Sequence, residues 1–280
     1  MVRNIGIFLC SGKQTNEGKQ MRVTYKNPGL QHSIDSILLF QTKDTTSFWS
    51  DTLFYFFPQI DKEALAKKDT PGQREYLSSI LAEIYHGIKP ELDGKILKYN
   101  EHFLNYEGQI NDALSDAFDT DTRIIFNDLT GYICLNPVCP RFLRERYFDV
   151  FYKNSERGAL GLSLHEVIHY IWFHVWNGLF HDSYDEYETP SLKWILSEMV
   201  VESIMSDERL SSINPYFPRE NGGCVYPYFQ SMIIDGKPIL DTLAELYRQK
   251  NIKHYMQASY DYCRKHEMAI RQHISEAENQ

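Results

Sequence analysis

The most apolar window of the chain, G-L-S-L-H-E-V-I-H-Y-I-W-F-H-V-W-N-G-L-F (161–180), holds His165, Glu166, His169 and His174. Ionisable side chains are costly in hydrocarbon, so the window is expected to be a buried helix and not a membrane span. On a helix, residues four apart share a face. His165 and His169 then lie along the stripe of Leu162, Ile168, Trp172 and Val175. Two imidazoles and a carboxylate on a buried face need partners. Either other core groups satisfy them, or the two histidines hold a metal ion. Zinc takes neutral imidazole in tetrahedral geometry, and a catalytic zinc keeps one position for water. Glu166 would stand beside the ligands, placed to take a proton from that water.

A second helix is expected over P-S-L-K-W-I-L-S-E-M-V-V-E-S-I-M-S-D (190–207), with Thr189 as N-cap and Pro190 at the first helical position. Ile195, Val201, Glu202 and Met205 fall on the face of Glu198, which puts two carboxylates in an apolar stripe. A buried carboxylate calls for a cation or strong donors. Glu198 follows His169 by 29 residues (198 − 169), room for a loop and a returning helix. A third ligand can therefore come from this helix, from Glu198 or from Glu202. Asp207, five residues beyond Glu202, is off the ideal face.

With H-E-V-I-H followed by W-I-L-S-E on a later helix, the chain resembles the gluzincin branch of zinc metallopeptidases, to which thermolysin-like enzymes and zinc aminopeptidases belong. The resemblance covers residues 165–207. The order of strand and helix signals gives an α+β fold with a mixed N-terminal half and a helical C-terminal part, and the resemblance implies within it a zincin-like catalytic unit, a small mixed sheet plus active-site helices. The resemblance also implies Zn2+ held by His165, His169 and Glu198, Glu166 as general base, peptide or protein as substrate, and Glu202 bracing a ligand histidine. Met199 stands where the aminopeptidases have glycine, and no G-x-M-E-N-like stretch lies upstream. The metzincin pattern fits worse, because Y-I-W-F separates His169 from His174 and brings no glycine. A donor for the developing oxyanion is expected from 181–188 or 222–228: Tyr226 first, then Tyr184, His181 or Tyr228.

Strand signals run over Ile5–Leu9, Arg22–Tyr25 and Ser36–Phe40, and helical signals over Gln73–Tyr85 and Gly94–Phe118. R-I-I-F (123–126) and G-Y-I-C-L (131–135) flank a hairpin-like turn. R-Y-F-D-V-F-Y (146–152) alternates like a half-buried strand and is the candidate edge strand lining a substrate cleft. Helices are expected again over Glu156–Trp176 and from Pro238 to the end. A boundary near 120 divides an accessory N-terminal α/β region (1–120) from a zincin-like metallopeptidase domain (121–280).

Composition narrows the partners. A formal net charge of -9 argues against nucleic acid, whose phosphates need a basic surface. Five cysteines, an odd number in a long chain, argue for a reducing compartment, and hence the cytoplasm, over a disulfide framework. Cys134 and Cys139 are too loosely spaced for an ordinary zinc knuckle. The apolar run Ile5–Cys10 is short for a signal segment and is expected as a strand.

Overall fold

The computed structural model describes residues 21–125, 127–249 and 251–279. The expected strand at Ile5–Leu9, together with Cys10 and Phe126, lies outside them. The fold is mixed, mostly helical around a small sheet. Strand β1 (Val23–Lys26) is followed by helices α1 (Leu30–Leu38), α2 (Ser47–Phe56), α3 (Lys62–Ala66) and α4 (Thr70–Phe118). Then come β2 (Leu129–Cys134), β3 (Arg141–Phe142), β4 (Tyr147–Phe151), α5 (Glu156–Phe180), α6 (Leu192–Met205) and α7 (Glu208–Ser211). The chain continues through α8 (Pro227–Ser231), a ribbon of β5 (Ile233–Ile234) and β6 (Lys237–Pro238), α9 (Ile239–Gln249), α10 (Ile252–Lys265) and α11 (Glu267–Glu278).

The sheet order is β1-β2-β4-β3. β2 runs parallel to both β1 and β4, while β3 pairs antiparallel with β4, Arg141 opposite Phe148. Two expectations fail here. R-I-I-F forms no hairpin arm: Thr122–Ile124 is a single 3-10 turn. β2 takes its partners from far along the chain, which a local turn signal does not reveal. The edge beside the candidate site is β3, and the expected edge strand, β4, lies inside the sheet. A two-residue strand is too short to show alternation.

Ser36–Phe40 is not a strand but begins as the end of α1, which buries Ser33, Ile34, Ser36 and Ile37, the helical spacing. The two helical signals before residue 120 belong to the single helix α4. It starts at Asp69, whose carboxylate accepts the Gly72 N–H at 3.0 Å, and runs through Pro90. Between Leu81 and Leu92 α4 buries no residue, and Pro90 sits in that stretch. The sequence pattern therefore broke there although the helix does not.

One apolar core spans Met21 to Ile270. The expected boundary near 120 is crossed by the β1–β2 pairing, and α4 packs against α5. Gly131 on β2 admits the Tyr25 ring: a Cβ there would lie 2.8 Å from Tyr25 Cδ1. The Tyr25 hydroxyl in turn meets Ser163 Oγ on α5 at 2.6 Å. The sheet thus fixes α5 one half-turn from His165. Among the described residues no helix is long and apolar enough to cross a membrane, and Cys134, Cys139, Cys224 and Cys263 are free thiols.

Candidate metal centre

α5 begins at Ser155, whose hydroxyl accepts the Gly158 N–H at 3.1 Å. Between Gly158 and Phe173 its residues are buried almost all round, so this stretch runs through the core. α6 begins at Ser191, which accepts the Trp194 N–H at 3.0 Å. The expected cap at Thr189 is therefore displaced by two residues. The two helices bring His165, His169 and Glu198 together, with one ligand atom from each inside 4.8 Å of the others.

The protons in this cluster follow from its partners. His165 Nδ1 lies 2.8 Å from the Cys224 carbonyl oxygen. A carbonyl only accepts, so Nδ1 carries the proton, and the neutral ring turns a lone pair inward from Nε2. That Nε2 lies 2.9 Å from His169 Nε2 and 3.2 Å from Glu198 Oε2. Glu198 Oε1 lies 3.4 Å from His169 Nε2. His169 is fully buried, and its Nδ1 has no hydrogen-bond partner among the described residues. His169 Nε2 thus faces both the His165 lone pair and the Glu198 carboxylate, an arrangement met either by a proton on His169 Nε2 or by a cation shared among the three groups. The group fits a metal ion, held by two nitrogens and an oxygen.

The electrostatics agree. Burial opposes a charge on His165, but the Glu198 and Glu166 carboxylates and the Cys224 carbonyl outweigh it and hold the imidazole above its ordinary value. His169 is pushed down to about 3, by burial first and then by Arg141, against the pull of Glu198. Burial would raise Glu198, yet His169, His165 and Arg141 hold it well below the usual carboxylate range. Burial raises Glu166, only partly offset by His165 and Arg141.

Two cavities of about 360 Å3 each flank the centre and share Val138, Cys139, His165, Glu166 and Tyr226. The first is walled by the α1–α2 loop, Trp49, Arg141, Trp194 and Glu198, and the second by Gly161, Tyr216 and the loop 222–227. Gly161 matters to that loop. A Cβ there would sit 2.6 Å from Asn214 Oδ1, so glycine lets the segment after α7 close onto α5 and carry Cys224 to His165.

Of the residues singled out in the sequence, Glu166 stands beside the ligand group, and Tyr226 lines both cavities next to it. Tyr226 stacks on Tyr228 (centroids 5.4 Å apart) and meets Trp49 edge-on. Its hydroxyl makes no hydrogen bond among the described residues. Burial, then the Glu198 carboxylate, pushes the phenol well above its ordinary value. Glu202 is not brought to a histidine: both its oxygens accept from Arg219 Nε at 2.9 Å. Asp207 is paired with Arg209. Tyr184 and His174 line a separate cavity behind α5, His181 ends that helix, and Tyr228 Oη is buried without a hydrogen-bond partner among the described residues.

Sequence reasoning missed Arg141. Its guanidinium, 7% exposed, has Nη1 3.4 Å from Glu166 Oε2 and 3.3 Å from Glu198 Oε1. No sequence signal marks it, because its place depends on the β3–β4 register. The Cys224 carbonyl is a backbone group, equally silent in sequence, although the glycine-led loop that carries it stood out. No protein-family model matches the chain, and no curated protein or solved structure matches it.

Proposed function

We propose that the chain is a zinc-dependent metallopeptidase of gluzincin type, built on a zincin-like unit, that hydrolyses peptide bonds. The observation that carries this reading is the ligand group itself. His165 and His169 from one helix and Glu198 from the next converge, with the His165 tautomer fixed by Cys224 and Glu166 alongside. The two cavities meeting at His165 and Glu166 suit a substrate that extends to both sides of the reacting bond, as a peptide does.

Zinc, when bound, supplies Lewis acidity toward a peptide carbonyl and makes water a better nucleophile. Glu166 takes the proton of the attacking water and returns it to the leaving amine. Tyr226 donates its free hydroxyl to the carbonyl oxygen as negative charge develops there. The Cys224 carbonyl holds the His165 ring in orientation throughout.

Glu166→Gln tests the base. The variant is expected to keep its zinc and to lose at least about 100-fold in peptide hydrolysis, measured on a mixture of quenched fluorogenic peptides. Loss of zinc from the variant would contradict the assignment. A second reading is a metal-binding module without turnover. It is favoured by Arg141, a resident cation already bridging both carboxylates. Wild-type protein that holds zinc but cleaves none of the peptides would support that second reading.

A further inference from the structure

Arg141 has no part in the reaction sketched above, yet it is the most deeply placed cation of the centre. It comes from the edge strand β3, where the antiparallel pairing with Phe148 sets its height beside α5. Its Nη1 bridges Glu166 Oε2 and Glu198 Oε1, the proposed base and the proposed third ligand. Glu166 is 5% exposed, and Arg141 is its one hydrogen-bond partner among the described residues. Without Arg141 the Glu166 carboxylate would be buried and unpaired, a costly state that side chains leave by turning away.

The charges have a second consequence. Two carboxylates against one guanidinium leave the centre one net negative charge while the histidines are neutral. A divalent cation added to that set makes it one net positive, with the guanidinium as a like charge beside the ion. Like charges at this range repel strongly when buried. Arg141 therefore strengthens the grip on Glu166 and weakens the grip on metal.

We propose that Arg141 is a positioning residue, which aims the Glu166 carboxylate at the reacting bond at the expense of metal affinity. The proposal rests on the metallopeptidase reading. An arginine that merely braced the fold would behave oppositely on removal: Glu198 would loosen and metal would bind more weakly. The two roles therefore differ in the sign of one measurable quantity.

The test compares the full chain with R141M, R141K and R141A, each first shown by its melting curve to be folded. The zinc dissociation constant is read at pH 8 by competition with a chromophoric chelator. kcat and KM are read on a peptide that the wild type cleaves. For R141M, zinc is expected to bind at least about tenfold more tightly, because a like charge has gone. kcat is expected to fall about 100-fold while KM stays within about threefold, because the base is no longer aimed. R141K keeps the charge but replaces the planar guanidinium, whose Nη1 bridges both carboxylates, with a freely rotating ammonium, so its zinc affinity stays near that of the wild type while kcat drops. In R141A, free guanidinium ion at millimolar concentration is expected to restore part of kcat by entering the cleft beside Glu166.

Weaker zinc binding in R141M, or R141M turnover equal to that of the wild type, would overturn the proposal. So would R141A turnover unmoved by guanidinium. A wild type that binds zinc but cleaves no peptide defeats the peptidase reading and the aiming of Glu166 with it. The chelator competition still decides whether Arg141 opposes the metal.

Discussion

Asp149 gives the sharpest test of how the sheet supports the site. It is fully buried on the inner strand β4. One carboxylate oxygen accepts from His32 Nε2 at 2.7 Å, and the other accepts from the Ser36 hydroxyl. Ser36 Oγ in turn accepts from Asn136 Nδ2 at 2.7 Å. This network ties α1 to the sheet, and the loop after α1 walls the first cavity. A hydrogen bond to a charged group contributes roughly 1.5–3 kcal/mol. Asp149→Ala removes two such bonds, so the expected loss is about 4 kcal/mol. For a chain of this length that lowers the melting temperature by about 7 °C. Asp149→Asn keeps the shape, but His32 and Ser36 are both donors and the amide has one acceptor oxygen. It is expected to cost about half as much. Calorimetry on metal-stripped protein reads both. D149A melting within about 2 °C of the wild type, or D149N melting as low as D149A, would refute the reasoning.

Tyr226→Phe removes a hydroxyl that makes no hydrogen bond among the described residues, so the melting temperature is expected to stay put. Peptide turnover is expected to fall about 100-fold if that hydroxyl meets the developing oxyanion, with zinc content unchanged. Zinc affinity is also expected to depend on pH with a definite sign. Glu198 and Glu166 hold His165 above its ordinary value against burial, so a proton competes with metal already above the ordinary imidazole range and throughout the range below it. His169, pushed down to about 3, and Glu198, well below the carboxylate range, add no further competition there. One competing proton makes binding about tenfold weaker for each pH unit below the point where His165 takes its proton. Chelator competition across the pH range checks the slope. A slope near two would mean that His169 titrates as well.

The parts of the molecule written in local periodicity were legible in the sequence. α5 and α6 showed because their apolar residues are signals along the chain, although the cap expected at Thr189 stands at Ser191. Helical spacing put His165 and His169 on one face and a carboxylate, Glu198 or Glu202, on a face of the second helix. What could not be read depended on distant pairing. β2 looks like a hairpin arm until β1 and β4 are placed beside it, and β3 is too short for any pattern. Arg141 reaches the centre only because the β3 register sets it there. Glu202 shares a helical face with Glu198, so spacing alone could not tell which carboxylate meets the histidines. Arg219, from a loop after α7, takes Glu202 instead. The unity of α4 was hidden by Pro90 and by a stretch of half-buried and exposed residues that interrupts its apolar stripe.

The central claim is that His165, His169 and Glu198 hold one metal ion. Elemental analysis of the purified chain, beside His165→Ala and Glu198→Ala, tests it most directly. About one zinc per chain in the wild type, lost or much weakened in both variants, is the expected result. A wild type that takes up no zinc after zinc is added back, with both variants melting like it, would contradict the claim and return H-E-V-I-H to the helix core.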